Sequence, residues 1–325
     1  MTSTFAPMTL GDIFESTITM IGKTFARNIL VAVTFLTIPA VIMSFAARNF
    51  YGALTAASTT APSFYTLIPF ILSTILLEVA ALLAEIAISY ITANEMHSHR
   101  VSFKEAISDT FQGKWISGLG QAFLKYVVVF GSLSGITLIF ILLDGETKGA
   151  SSITKGILML FQVPFFLLLM PALLFLFYRW LFSLTAVAVD GLDSVEALKK
   201  SWEIVDGYWW RTFGIFLLLT IIAQFAISII SLPLTFGSMW TVYRDYYTML
   251  GKAGGSIGAG AINHYPVSMG SGIGVQTAIG SILSLLVSPV FIVVMYFDLR
   301  ARHYDYPSSS GEVEQTPDEP FIPAN

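Results

Sequence analysis

The chain contains no cysteine. That removes disulfides, thiolate metal sites and cysteine nucleophiles together, without identifying a compartment. It is also poor in charge. Of its 325 residues 12% are charged and 55% hydrophobic, roughly half the charged share of a soluble domain. Most of the chain must therefore face lipid or its own apolar interior. There is no basic surplus either. A net charge of −4 lacks the basic footprint of a nucleic-acid binder, so no nucleic-acid partner is expected. Residues Met1 to Met8 carry neither the basic nor the apolar stretch of a cleaved signal peptide, and insertion is expected to rest on internal spans. No GxSxG or HExxH constellation is present, and the glycines between 251 and 274 form no phosphate-cradling pattern. No enzyme activity, cofactor or metal is expected.

What the chain does have is long apolar runs. Crossing a hydrocarbon core of ~30 Å takes about 20 apolar residues in a helix. Six stretches qualify: 29–47, 64–92, 116–143, 156–189, 212–233 and 273–297. The fourth would reach ~50 Å as one straight helix, so a kink is expected at Pro164 and Pro171, with the part after Arg179 running along the interface. An even number of spans puts both termini on one side. That side carries Lys23, Arg27, Arg100, Lys104, Lys114, Lys199, Lys200, Arg211, Arg300 and Arg302; the other carries Arg48, Lys148, Lys155, Arg244 and Lys252. The bias favours cytoplasmic termini. Trp240, Tyr243, Tyr246 and Tyr247 suit an aromatic belt on the outer face, followed by a flexible glycine-rich loop over 251–274. Residues 304–325 read as a disordered acidic tail.

A short pattern recurs three times ahead of the apolar runs. Its copies begin Thr9-Leu10-Gly11-Asp12, Ser102-Phe103-Lys104-Glu105 and Asp193-Ser194-Val195-Glu196, and each reaches a hydroxyl followed by a bulky apolar residue: Thr17-Ile18, Thr110-Phe111 and Ser201-Trp202. The first residue of each is a good N-cap, and the acid three positions on can reach back to the cap's own N–H. In the third copy Val195, Leu198, Trp202, Val205 and Trp209 make one apolar stripe at helical spacing, which suits a helix lying at the headgroup level or one packed beneath the bundle. The period of about 92 residues contains two spans. The expected architecture is an all-α integral membrane protein of six transmembrane helices. They form three hairpin repeats, about 9–101, 102–192 and 193–303, each preceded by an amphipathic interfacial helix, in one membrane domain over 1–303.

Three stretches together carry a resemblance. They are Leu10-Gly11-Asp12-Ile13-Phe14; Glu196-Ala197-Leu198-Lys199-Lys200-Ser201-Trp202 with Gly207-Tyr208-Trp209-Trp210-Arg211-Thr212-Phe213-Gly214; and Tyr296-Phe297-Asp298-Leu299-Arg300-Ala301-Arg302. The chain resembles the membrane domain attached to some bacterial glycerophosphoryl diester phosphodiesterases, and related stand-alone multi-pass proteins of unknown function. In that family the chemistry belongs to a separate soluble barrel. Its His-Arg-Gly signature does not occur here, since His99-Arg100 is followed by Val101. The resemblance implies a membrane module in the bacterial cytoplasmic (inner) membrane, with no catalytic residue to carry over.

Ionisable side chains within a span are costly and need a reason. Glu78 and Glu85 share one face of the second span, Lys125 lies in the third and Arg179 in the fourth, with Gln224 the polar group of the fifth. Counting residues from the cytoplasmic end places Glu85, Lys125 and Arg179 at similar depths, roughly 11–16 Å, where Lys125 and Arg179 are expected to lie beside Glu85. Glu78 lies deeper, near Gln224. These five form the candidate polar cluster, either a pathway for an ion, proton or lipid headgroup or an ion-paired network that fixes helix packing. His97-Ser98-His99 reads as a surface loop rather than a metal site, because histidines two apart on a helix diverge. Thr277, Ser281, Ser284 and Ser288 read as a close-packing face. The expected function is non-catalytic: organising or sensing lipid, or supporting a membrane complex, with membrane lipids and complex subunits as partners. The alternative is a carrier for a lipid or small amphiphile that uses the intramembrane charges.

Overall fold

The computed structural model describes residues 6–56, 64–146, 152–252 and 259–305, and no strand occurs among them. The helices run in the order α1 (Leu10–Ala56), α2 (Phe64–Met96), α3 (Phe103–Asp109), α4 (Trp115–Glu146), α5 (Ser152–Arg179), α6 (Ser183–Asp190), α7 (Ser194–Val205), α8 (Trp209–Lys252) and α9 (Ala259–Arg300). A wide π turn over Thr110–Lys114 links α3 to α4, and a second, Ala301–Asp305, follows α9.

Among the described residues five stretches are long and apolar enough to cross a membrane: Leu10–Phe50, Phe64–Met96, Leu167–Asp190, Trp209–Pro233 and Ile279–His303. The expected span over 116–143 falls on α4, where the side chains of 133–146 lie outside the described residues. Helix α9 is the hub. It is apolar all round, the sequence mark of a buried helix, and Val290, Val293, Val294, Met295, Tyr296 and Leu299 are fully buried. Its most extensive neighbour is α1, so the first and last helices of the described chain pack side by side. Ile13, Phe182, Ile204, Met295 and Tyr296 share one core cluster. Leu36, Ile88, Ile91 and Val290 share a second, between α1, α2 and α9.

The three capped segments all open at the expected N-cap, the first two also with the acid bonded back to the cap and the third without that second bond, and then diverge. Asp12 accepts from the Thr9 N–H at 2.8 Å while Thr9 Oγ1 accepts from the Asp12 N–H at 3.3 Å. Ser102 and Glu105 make the same reciprocal pair, both bonds at 3.3 Å. Asp193 accepts from the N–H groups of Val195 and Glu196 at 3.0 and 2.8 Å. The hydroxyls eight positions on, Thr17, Thr110 and Ser201, are all buried, and Ile18, Phe111 and Trp202 beside them are all exposed. The continuations differ. From Leu10 the first segment runs unbroken into the span, so it makes no separate interfacial helix. The second ends after two turns at Gln112 and Gly113, where Gly113 takes φ 116°. The third ends before Gly207, at φ 75°. Glycine reaches this left-handed region without steric cost; Gly22, in the first segment, stays within α1 and does not break it.

Two further expectations are corrected. The long fourth stretch is divided after Arg179, between α5 and α6, and α5 continues through Pro164 and Pro171. The part beyond the break is enclosed by protein rather than laid open along a surface: Ser183 to Ala188 are buried, and α6 packs against α2 and α7. The glycine-rich loop over 251–274 is also mostly helix. Helix α8 continues to Lys252 and α9 begins at Ala259, so Gly260, Gly270, Gly272 and Gly274 are helical. Each glycine costs about 1 kcal/mol against alanine in a helix interior, and the packing of α8 against α9 offsets that local preference. The acidic tail from 306 onward lies outside the described residues.

Candidate functional site

The polar side chains of the bundle fall into two sets. The first gathers at the end where α1, α8 and α9 meet. Asp298, 0% exposed, is its centre. It pairs with Arg211 from the start of α8 and with Arg302, whose Nε lies 3.2 Å from both carboxylate oxygens. The Met8 N–H donates to the same carboxylate at 2.7 Å. The Met8 carbonyl in turn accepts from Arg211 at 2.9 Å and from Arg302 at 2.5 Å. The residue that leads into α1 is thus held through its backbone by the last helix and by α8.

The sequence Tyr296-Phe297-Asp298-Leu299-Arg300-Ala301-Arg302 explains how one helix end serves two neighbours. Residues four apart share a helical face. Asp298 and Arg302 face Met8 and Arg211. Tyr296 and Arg300 lie on another face and both reach Asp190 at the end of α6, the Tyr296 hydroxyl donating to one carboxylate oxygen and Arg300 to the other at 2.9 Å.

The same device recurs. Arg27 on α1 pairs with Glu95 near the end of α2 at 2.5 Å and donates to the Val101 carbonyl, the residue just before the second cap, at 2.9 Å. Arg211 stands eighteen positions after the Asp193 cap, as Arg27 does after Thr9. At the second copy the duty falls to Lys114. It donates to the Ala188 carbonyl at the end of α6 at 2.7 Å, pairs with Asp109 at 2.6 Å, and lies 4.3 Å from the centre of the Tyr90 ring. A glycine, Gly120, occupies the position matching Arg27 and Arg211, and a Cβ there would stand 2.2 Å from Ser194 Oγ on α7. Close approach of α4 to α7 leaves no room for a long cation at that point.

The second set is the polar cluster expected from sequence, and the structure brings only part of it together. Glu85 and Lys125 are both half-buried and interact electrostatically, but no direct ion pair joins them. Glu78 is exposed on α2 and acts on Tyr126 of α4; Gln224 is exposed on α8. Arg179 is the correction. Its ion pair is with Asp206, at 2.8 Å, and it donates to the Trp202 carbonyl at 3.1 Å, with its guanidinium 4.7 Å from the centre of the Trp202 ring. Depth counting placed it beside Glu85 because it treated residues 156–189 as one helix, whereas the chain breaks after Arg179 and α7 folds back over that end. Ser201, the buried hydroxyl of the third copy, donates to the Arg179 carbonyl at 2.8 Å and accepts the Phe182 N–H at 3.1 Å, satisfying two backbone groups that the break leaves free. His97 and His99 are exposed at the end of α2, and the imidazole of His97 packs edge-on against Phe297.

Sequence reasoning did not single out Asp298, Arg211, Glu95 or Asp190 as a set. The available signal was an acid and a base four apart at the close of an apolar span, matched by a lone cation at the start of another. Such residues read as ordinary interfacial charges until the helix ends are juxtaposed.

These features define a helical membrane protein whose charged residues cluster where helix ends meet. The chain belongs to the family described as a domain of unknown function, DUF7847, which matches residues 12–305. No curated protein and no solved structure matches it.

Proposed function

We propose that this protein is a non-catalytic scaffold of the cytoplasmic membrane that organises or senses lipid, or supports a membrane complex. In this reading six spans form three hairpins, each opened by a capped amphipathic segment, with both termini cytoplasmic. The observation that carries the reading is the lock at the helix ends. Its charges are spent on one another and on backbone carbonyls, the arrangement of a bundle held in one packing. The matching burial of Thr17, Thr110 and Ser201 and the corresponding positions of Arg27 and Arg211 support the repeat. The resemblance to phosphodiesterase membrane domains agrees with a module that does no chemistry itself.

Two experiments test it. Labelling of Ser256→Cys and Ser309→Cys in intact cells is expected to give opposite accessibility, and labelling of both from one side overturns the six-span arrangement. Mass spectrometry of the protein extracted in native lipid nanodiscs is expected to find phospholipid or protein retained at fixed stoichiometry, and an extract without either overturns the scaffold role.

A carrier for a lipid or small amphiphile is the second reading. It is favoured by the Glu85 and Lys125 pair, half-buried and without a direct ion pair between α2 and α4. A carrier requires a flux that changes when Glu78 or Glu85 loses its charge. A packed scaffold does not.

A further inference from the structure

Arg179 uses only part of its guanidinium. One terminal nitrogen meets Asp206 and the other the Trp202 carbonyl. The third donor, Nε–H, is buried without a partner, and so is the indole N–H of Trp209 on the first turn of α8. The two donors border one aromatic side chain. The Arg179 guanidinium lies 5.2 Å from the centre of the Phe175 ring and the Trp209 ring lies 5.6 Å from it. A buried N–H without an acceptor costs about 1–3 kcal/mol, and more when the donor is charged. Two such donors beside the same ring point to an acceptor that reaches both.

The surroundings narrow the choice. Exposed apolar side chains continue from this point along both helices into the spans, Leu174 and Phe177 on α5, and Trp210 and Leu217 on α8, with Trp210 77% exposed. An acyl chain would lie against such a surface. At the rim the Asp206 carboxylate is 66% exposed and holds Arg179 by a terminal nitrogen at 2.8 Å. An incoming anion therefore meets two N–H donors and, beside them, a carboxylate that favours a cation. A headgroup carrying both charges matches this arrangement better than a purely anionic one.

We propose that the notch between the end of α5, α7 and the start of α8 binds a zwitterionic aminophospholipid, its phosphate accepting from Arg179 Nε–H and Trp209 Nε1–H and its ammonium facing Asp206. This rests on the lipid-contacting reading above and assigns it a place.

The full chain is purified in a maltoside detergent, and its melting temperature is followed while phosphatidylethanolamine, phosphatidylglycerol or inorganic phosphate is added. Phosphatidylethanolamine is expected to raise it most and inorganic phosphate not at all. Trp209→Phe keeps an aromatic ring against Phe213 and removes the donor together with part of the indole. It is expected to melt somewhat lower than wild type without lipid, because the smaller ring leaves a gap, and to need about tenfold more phosphatidylethanolamine for the same gain. Arg179→Lys, which keeps the charge opposite Asp206 but has no Nε–H, is expected to behave likewise. Asp206→Asn is expected to keep a response to phospholipid and to lose the preference for ethanolamine over glycerol. A wild-type response unchanged in both Trp209→Phe and Arg179→Lys removes the site while leaving a lipid-binding protein. An equal response to inorganic phosphate, or a preference for phosphatidylglycerol, overturns the assigned ligand. No response of wild type to any lipid removes the lipid-contacting reading as well.

Discussion

The end of the bundle around Asp298 and the middle of its spans are built on opposite rules. At the end, Asp298, Asp190 and Glu95 each pair with an arginine, and Arg211, Arg302 and Arg27 also hold backbone carbonyls. In the middle, Glu85 and Lys125 interact without touching, and Glu78 and Gln224 are exposed on the outside of their helices. Charges at helix ends can meet because chain reversals bring several ends together, and the backbone there offers carbonyls and N–H groups outside the helical ladder. In mid-span the backbone is fully engaged in its own helix, and a charged side chain has only other side chains to pair with. The end therefore ties several helices together through side chains and backbone at once, and the middle does not.

The largest effect expected from breaking the end is at Asp298. Asp298→Ala leaves Arg211, Arg302 and the Met8 N–H without their shared acceptor. Loss of one member of a buried pair costs about 3–5 kcal/mol, read by denaturant or thermal unfolding in detergent. A loss below about 1 kcal/mol would show that the lock does not hold α1 against α8 and α9.

Next comes Ser201. Thr17 and Thr110 bond the carbonyl four residues back in their own helices, at 2.7 and 2.8 Å, and those carbonyls keep their helical partners when the hydroxyl is lost. Ser201 instead serves the break after Arg179. Ser201→Ala is expected to cost about 1–3 kcal/mol, the price of an unsatisfied buried backbone group, whereas Thr17→Val and Thr110→Val cost less than half as much. Equal losses in all three would mean that the break does not depend on this hydroxyl.

Smaller still is the coupling in mid-span. A double-mutant cycle on Glu85→Gln and Lys125→Met is expected to give about 0.5–1 kcal/mol of interaction, while Glu85 and Arg179 give none and Arg179 and Asp206 do couple. A large Glu85 to Arg179 coupling would restore the cluster that depth counting suggested. The smallest effect is that of Glu78→Gln, for which unchanged melting is expected together with unchanged growth of cells that depend on the protein. A stable variant without activity would make the exposed Glu78 a working charge and favour the carrier over the scaffold.

Much of this molecule can be read without coordinates. Apolar runs of membrane length mark α1, α2, α8 and α9, and the caps at Thr9, Ser102 and Asp193 form the bonds their residue types allow, because capping is a contact between residues two or three apart. The glycines that end the second and third segments were also visible, although sequence did not show that Gly113 and Gly207 would take the left-handed conformation while Gly22 would not. Tertiary packing decided what local chemistry leaves open. It divided residues 156–189 after Arg179 and buried α6, and it made helix of the glycine-rich 259–274. It also sent Arg179 to Asp206 and brought Met8, Arg211, Asp298 and Arg302 together across nearly the whole chain. Hydropathy and caps act within a few turns of helix, so sequence records them directly. Which helix ends become neighbours depends on how α9 is enclosed by the others, and only the folded bundle contains that information.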